Sequence, residues 1–213
     1  MGNITEVAGE VGPQQGASGT SLPFRQGTAA DLIVSELHGR YYEQSSRQKI
    51  FTVYSAARAI TVVGTGLVGI QLWNGSPVAG GVNLVLLKTG GMITVTSATT
   101  TGIILATGVG QVSAPTAQTA ADAVKNNFIG GVPPNATAIA AGTFTTAPTG
   151  ICTLMHNTAA IGTTGEDTGY FVDLEGSIVI PPQCYAAVCA LGATAAASAW
   201  TGFLMWEEVP VLL

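Results

Sequence analysis

The stretch Ala199–Pro210, reading A-W-T-G-F-L-M-W-E-E-V-P, constrains the fold of this chain more than any other. Successive residues of a β-strand point to opposite faces, so Trp200, Gly202, Leu204 and Trp206 share one side and Thr201, Phe203 and Met205 the other. Neither side turns polar until Glu207 and Glu208, and Pro210, with no N–H to give, ends the ladder. An antiparallel strand with one wet face alternates apolar with polar residues, and this one does not. It belongs either at the centre of a two-layer core or between a core and another subunit. A closing strand of this kind points to a structural or assembly role more than to catalysis.

The rest of the composition narrows the reasons for such a strand. Charged residues make up only 9% of the 213-residue chain, against about 25% in an ordinary soluble domain. The length suits one domain, which buries roughly 70% of its unfolded surface without staples. A membrane span needs about 20 mainly apolar residues. The best candidate, Ala186 to Trp206, is broken by Gly192, Thr194, Ser198, Thr201 and Gly202, so no membrane partner is expected. What remains is a β-protein that hides much of its surface against neighbours. The three cysteines, Cys152, Cys184 and Cys189, form no CxxC pair. They fit neither a disulfide framework nor a zinc site and are expected as buried free thiols. No basic segment followed by an apolar one opens the chain, which predicts synthesis and folding in a cytoplasm.

A net charge of −5 argues against a nucleic-acid partner. The charge is unevenly spread: residues 1–43 carry −3, residues 44–165 carry +4 and residues 166–213 carry −6. Either these sections interleave in space and cancel, or they form complementary patches that steer like subunits together.

Residues 1–30 show no apolar period and read as an extended N-terminal arm, docked on a neighbouring subunit or folded back on its own domain; residues 31–213 read as a β-sandwich domain. Ala29 to Leu37 fits a short helix or a first strand. His38, Gly39, Arg40, Tyr41, Tyr42 and Glu43 then form the densest polar and aromatic cluster. His38 is expected to be packed and hydrogen-bonded, and the tyrosines suit an interface. Strands are predicted at Ile50–Ser55, Ala59–Val63, Leu67–Trp73, Asn83–Lys88, Met92–Thr96, Gly142–Thr146, Ile151–His156, Tyr170–Leu174, Ser177–Ile180, Tyr185–Leu191 and the closing stretch. Gly102–Ala106 and Gly110–Val112 are shorter candidates. Turns are expected at Asn74-Gly75-Ser76-Pro77, Gly90-Gly91 and Pro181-Pro182. One helix is predicted over Thr119–Phe128, where Ala120, Ala121, Val124 and Phe128 share a face. Many short strands with Gly/Pro punctuation and one short helix spell an all-β, jelly-roll-like antiparallel sandwich.

Gly64-Thr65-Gly66-Leu67-Val68-Gly69 is a formal G-x-G-x-x-G after a predicted strand. A dinucleotide site needs a helix to start here and an acid roughly 20 residues on. Instead the segment runs into Asn74-Gly75-Ser76-Pro77, and no Asp or Glu stands between Glu43 and Asp122. The glycines read as a hairpin turn. Asp173 and Glu175 could share a strand face, but strands often carry such pairs on a wet surface. Glu166, Asp167 and Asp173 match no calcium-loop spacing. Glu207 and Glu208 suit a contact better than a catalytic pair, because adjacent strand residues point opposite ways. No catalytic residue, cofactor site or metal site is expected.

Leu37-His38-Gly39-Arg40-Tyr41-Tyr42-Glu43, Asn83-Leu84-Val85-Leu86-Leu87-Lys88, Asp173-Leu174-Glu175-Gly176 and Trp206-Glu207-Glu208-Val209-Pro210 resemble tailed-phage virion proteins, in particular capsid decoration (cement) proteins of jelly-roll architecture. The resemblance implies a homo-dimer or homo-trimer on the outside of an icosahedral shell, clamping neighbouring copies of the major capsid protein. It implies a virion location after assembly in a bacterial cytoplasm. Arg40, Tyr41, Tyr42, Trp200, Trp206, Glu207 and Glu208 are the expected packing or interface residues. A tail or baseplate jelly roll that binds a host glycan is the alternative.

Overall fold

A computed structural model describes residues 9–10, 24–25, 40–95, 102–120, 124–156, 169–192 and 199–211. Two compact units divide the chain, Met1–Glu43 and Gln44–Leu213. In the first, strands β1 (Gly9–Glu10) and β2 (Phe24–Arg25) pair in parallel. The rest of the segment expected as an arm, His38 and the Ala29–Leu37 segment lie outside the described residues. A five-residue helix, α1 (Tyr42–Ser46), precedes the sandwich.

The sandwich strands are β3 (Ile50–Arg58), β4 (Gly66–Trp73), β5 (Val82–Val95), β6 (Gly102–Gly108), β7 (Thr116–Ala120), β8 (Lys125–Asn126), β9 (Thr137–Thr143), β10 (Thr149–His156), β11 (Gly169–Ile180), β12 (Tyr185–Ala190) and β13 (Ala199–Pro210). They form a five-stranded sheet in the order β11-β5-β13-β3-β8 and a six-stranded sheet in the order β10-β6-β12-β4-β9-β7. Leaving aside β7, β8 and β9, the remaining eight strands run 1-8-3-6 in one sheet and 2-7-4-5 in the other. That is the order of a jelly roll, two interlocked Greek keys. The closing strand takes a central place in it. β13 is hydrogen-bonded to β5 on one side and to β3 on the other, antiparallel to both.

The core between the sheets is built from the inward face of β13 and what it meets. Trp200, Leu204 and Trp206 are fully buried among Phe51, Val53, Leu84 and Leu86 of their own sheet and Ile70, Leu72, Leu105 and Val188 of the other. The Phe51 and Trp206 rings stack at 5.9 Å between centroids.

Several local expectations are corrected. The predicted Gly90-Gly91 turn lies in mid-strand, inside a fourteen-residue β5. The two glycines are needed there by aromatic rings rather than by a turn: a Cβ on Gly91 would stand 2.7 Å from Trp200 Nε1, and one on Gly90 2.6 Å from Phe203 Cε1. Tyr170–Leu174 and Ser177–Ile180 are likewise one strand, kinked between Asp173 and Ile178 by a bulge with Glu175 and Gly176 at positive φ.

The helix expected over Thr119–Phe128 is absent at its described ends, which belong to β7 and β8; residues 121–123 lie outside the described set. Asn126 explains the C-terminal end. Its Oδ1 accepts the N–H of Phe128 at 2.9 Å, a local turn that competes with helical bonding. At the G-x-G-x-x-G glycines the chain does turn back, with Thr61 N–H donating to Val68 O at 3.3 Å and Val68 N–H to Thr61 Oγ1 at 2.9 Å, but no strand of the expected hairpin pairs with β4 there. Of Ala59–Val63 only an isolated bridge remains, Val62 to Ala190, and 110–112 is not a strand.

Candidate interaction face

The two sheets treat their far faces differently. Along β6 and β12 every residue but Thr107 is buried. Ile103, Leu105, Ala186 and Val188 join the core between the sheets, whereas Ile104, Ala106, Tyr185, Ala187 and Cys189 form a second cluster with Leu67, Ile139 and Phe144. Alternation along a strand places that second cluster on the far side of the six-stranded sheet. The chain itself laces this side shut. Phe144 stacks on Tyr185 at 3.9 Å, and the Tyr185 hydroxyl donates to the Thr146 carbonyl. Trp73 Nε1 donates to the Gln111 carbonyl at 3.0 Å. Buried Gln111 in turn donates from Nε2 to Ser113 O and accepts from Thr145 N–H. Burial pushes the Cys189 thiol up to about 12, and burial with the Cys189 charge pushes the Tyr185 phenol up to about 12.

Among the described residues, none covers the middle of the far face of the five-stranded sheet in this way. Register puts Phe171 of β11, Gly90 of β5, Phe203 of β13 and Tyr54 of β3 directly opposite one another, and so in one row on one face. Tyr54 is 58% exposed and Phe171 66% exposed, while Phe203 is half-buried. The Phe171 and Phe203 rings meet at 6.1 Å, with Gly90 leaving the space beneath Phe203. Beside this row Tyr54, Gly90, Gly91, Met92, Gly169 and Phe203 wall a hollow of about 350 Å³. Thr201 also lines it, but its hydroxyl is already engaged, donating to Ser55 O at 2.6 Å and lying 3.0 Å from the Tyr54 hydroxyl. Lys88 stands at the edge, 5.5 Å from the Phe171 ring centroid and 3.5 Å from Asp173.

The expected site residues are spread over three places. Trp200 and Trp206 lie wholly inside the sandwich. Glu207 and Glu208 part company as their alternation requires. Glu207 is half-buried, and burial raises its pKa. Glu208 was expected near a contact surface, and the structure places it inside the chain, 4% exposed. Its Oε1 accepts from Asn135 N–H at 2.8 Å and Ala136 N–H at 2.9 Å, and its Oε2 accepts from Asn135 Nδ2 at 2.7 Å. It thereby ties the end of β13 to the start of β9 across the two sheets. Arg40, Tyr41 and Tyr42 belong to the N-terminal unit. There the Arg40 guanidinium lies 5.4 Å from the Tyr41 ring centroid, and Tyr42 is 53% exposed.

Sequence reasoning missed Tyr54, Phe171 and Asn74. Tyr54 and Phe171 become a site only through strand register. Asn74 sits in an expected turn yet is fully buried; its Nδ2 donates to Val82 O at 2.7 Å and Ile180 O at 2.9 Å, pinning three strand ends together. Its only advance signal is the N-G-S-P string itself. Asp173 and Glu175 form no convergent acid pair: the bulge intervenes, and Asp173 Oδ1 accepts Glu175 N–H at 3.1 Å. Among the described residues no group of three or more His, Cys, Asp or Glu side chains could hold a metal ion, and no helix is long and apolar enough to cross a membrane. Set against protein-family models, curated proteins and solved structures, the chain matches none.

Proposed function

We propose that this protein is a virion structural protein, a capsid decoration or cement protein that reinforces a phage head by bridging neighbouring capsid subunits. The observation that carries the reading is the aromatic row Phe171–Phe203–Tyr54 on the uncovered face of the five-stranded sheet. A chain that laces one sheet shut and leaves aromatic rings exposed on the other has prepared a surface for a partner. The likeness of its short strings to tailed-phage virion proteins supplies the kind of partner, the major capsid protein. Its 9% of charged residues fits a protein that spends its life against neighbours. Stable contacts of this type bury at least about 1,200 Å², repeated over every copy on the shell.

Cosedimentation tests the reading. Purified protein is mixed with heads of the virus that carries its gene, assembled without it, and the shells are then heated. The native protein should pellet with the heads and raise their disruption temperature, while Phe171→Lys with Phe203→Asp should do neither. Equal binding by the double variant would remove this face from the proposal.

The same aromatic row, with Lys88 and Asp173 beside it, supports a second reading, a tail or baseplate module whose rings stack on a host glycan. Glycan-array binding by the isolated protein that is lost in Phe171→Ala would favour that reading over the first.

A further inference from the structure

Asn74-Gly75 is the one Asn-Gly pair in the chain. In an open chain such a pair is chemically fragile, because glycine has no side chain to keep its amide nitrogen away from the preceding side-chain carbonyl. The Gly75 nitrogen gives up its proton to hydroxide and attacks Asn74 Cγ; the Cγ–Nδ2 bond breaks and ammonia leaves. Water then opens the cyclic imide at either carbonyl. The product is aspartate at position 74, or an isoaspartyl link whose main chain runs through the side chain. One water is consumed and one ammonia released.

The fold nevertheless needs both residues. Asn74 is fully buried, and its amide uses every donor and acceptor it has. Nδ2 donates to Val82 O at 2.7 Å and to Ile180 O at 2.9 Å, while Oδ1 accepts from Ser76 N–H at 3.2 Å and Ser76 Oγ at 2.6 Å. Gly75 has no room for a side chain: a Cβ there would stand 2.7 Å from Trp73 Cη2, on a ring held in turn by its bond to Gln111 O.

The contacts that require the pair also block its reaction. The Asn74 carbonyl accepts Gln183 N–H at 2.8 Å, and Asn74 N–H donates to Cys184 O at 2.9 Å. A carbonyl and the nitrogen that follows it share one rigid plane, so the Gln183 bond also fixes the direction of the Gly75 nitrogen. The amide it would have to attack is held by four hydrogen bonds, with no surface open to water.

We propose that Asn74 is a modification site of the opened chain, silent in the native fold, and that its conversion makes opening irreversible. Once the ends of β4, β5 and β11 part, the imide forms and the altered chain does not fold again. An aspartate would turn acceptors alone toward the Val82 and Ile180 carbonyls in a site without water. An isoaspartyl link would add a methylene to the main chain between β4 and β5. The inference holds whatever partner the open face takes.

Peptide mapping by mass spectrometry tests it on the full chain, with reductant present to keep the thiols. The protein is aged in mildly alkaline buffer, with and without urea, and then returned to native buffer. Conversion at position 74 should proceed in urea and run at least about a hundredfold slower without it, because only the opened fraction reacts. Chains that refold should keep Asn74 intact, and chains that fail to refold should carry aspartate or isoaspartate there. Equal conversion in the two buffers, or converted chains in the refolded pool, would overturn the proposal. Asn74→Asp, expressed directly, gives a second reading that avoids the urea step. It should not reach the buried-tryptophan emission of the native protein, and a variant that does so overturns the proposal as well.

Discussion

The two sheets of this sandwich begin from similar sequence and end differently. Each presents apolar residues on both of its faces. The six-stranded sheet covers its far side with Phe144, Tyr185, Trp73 and the hydrogen bonds of Gln111. The five-stranded sheet leaves Phe171 and Tyr54 open to solvent. The difference teaches that apolar residues on a second face do not by themselves announce a contact surface. What separates the two cases is whether a loop of the same chain arrives to cover them, and that is decided by hydrogen bonds from buried side chains such as Gln111.

The contrast is broken most severely on the covered side. Tyr185→Ala removes a fully buried ring, its stacking on Phe144 and its bond to Thr146, and should destabilise the fold by about 3–5 kcal/mol in urea unfolding. A loss under 1 kcal/mol would mean that this face is not truly closed. Next comes the tie between the sheets. Glu208→Ala leaves the Asn135 and Ala136 N–H groups without their carboxylate and should cost about 2–3 kcal/mol, while Glu207→Ala should change little. If the two substitutions prove equal, the alternation that parts them is wrong.

The covered face should also make the fold sensitive to alkali. Cys189 and Tyr185 titrate higher folded, both pushed up to about 12, than their ordinary 9.0 and 10.0. Their protonated forms are the ones the fold favours, so this stability is complete below pH 9 and is lost as pH rises from 9 toward 12. At full slope each group removes about 1.4 kcal/mol per pH unit. Unfolding midpoints at pH 8.5 and 10.5 should therefore diverge, and Cys189→Ala should narrow the gap. An unchanged gap in that variant would place the sensitivity elsewhere. The smallest effect belongs to the open face. Phe171→Ser should shift monomer stability by no more than about 0.5 kcal/mol, although it should weaken any contact made through the row.

Much of this was legible in the sequence, and the failures have a common cause. The sequence predicts Ala199–Pro210 with its observed bounds and its doubly apolar character, because period-two alternation is local. It also predicts two strands, Asn83–Lys88 and Met92–Thr96, about a Gly90-Gly91 turn, since the reason for those glycines is the rings of Trp200 and Phe203, more than a hundred positions away in sequence. The 119–128 segment has helical spacing, and the Asn126 side chain overrides it. Glu208 looked like a surface acid because its partners, Asn135 and Ala136, lie about seventy residues earlier. The aromatic row was hidden for the same reason: its members sit on three strands, and only register joins them.

Covalent carbene footprinting, read residue by residue, tests most directly the claim that the five-stranded sheet keeps its far face for another protein surface. The protein is labelled as a dilute monomer and again in its native assembly. Tyr54, Phe171 and Phe203 should label in the monomer and lose most of that labelling on assembly, while Tyr185 and Phe144 stay unlabelled in both. Equal labelling of Tyr54, Phe171 and Phe203 in the two states would contradict the account.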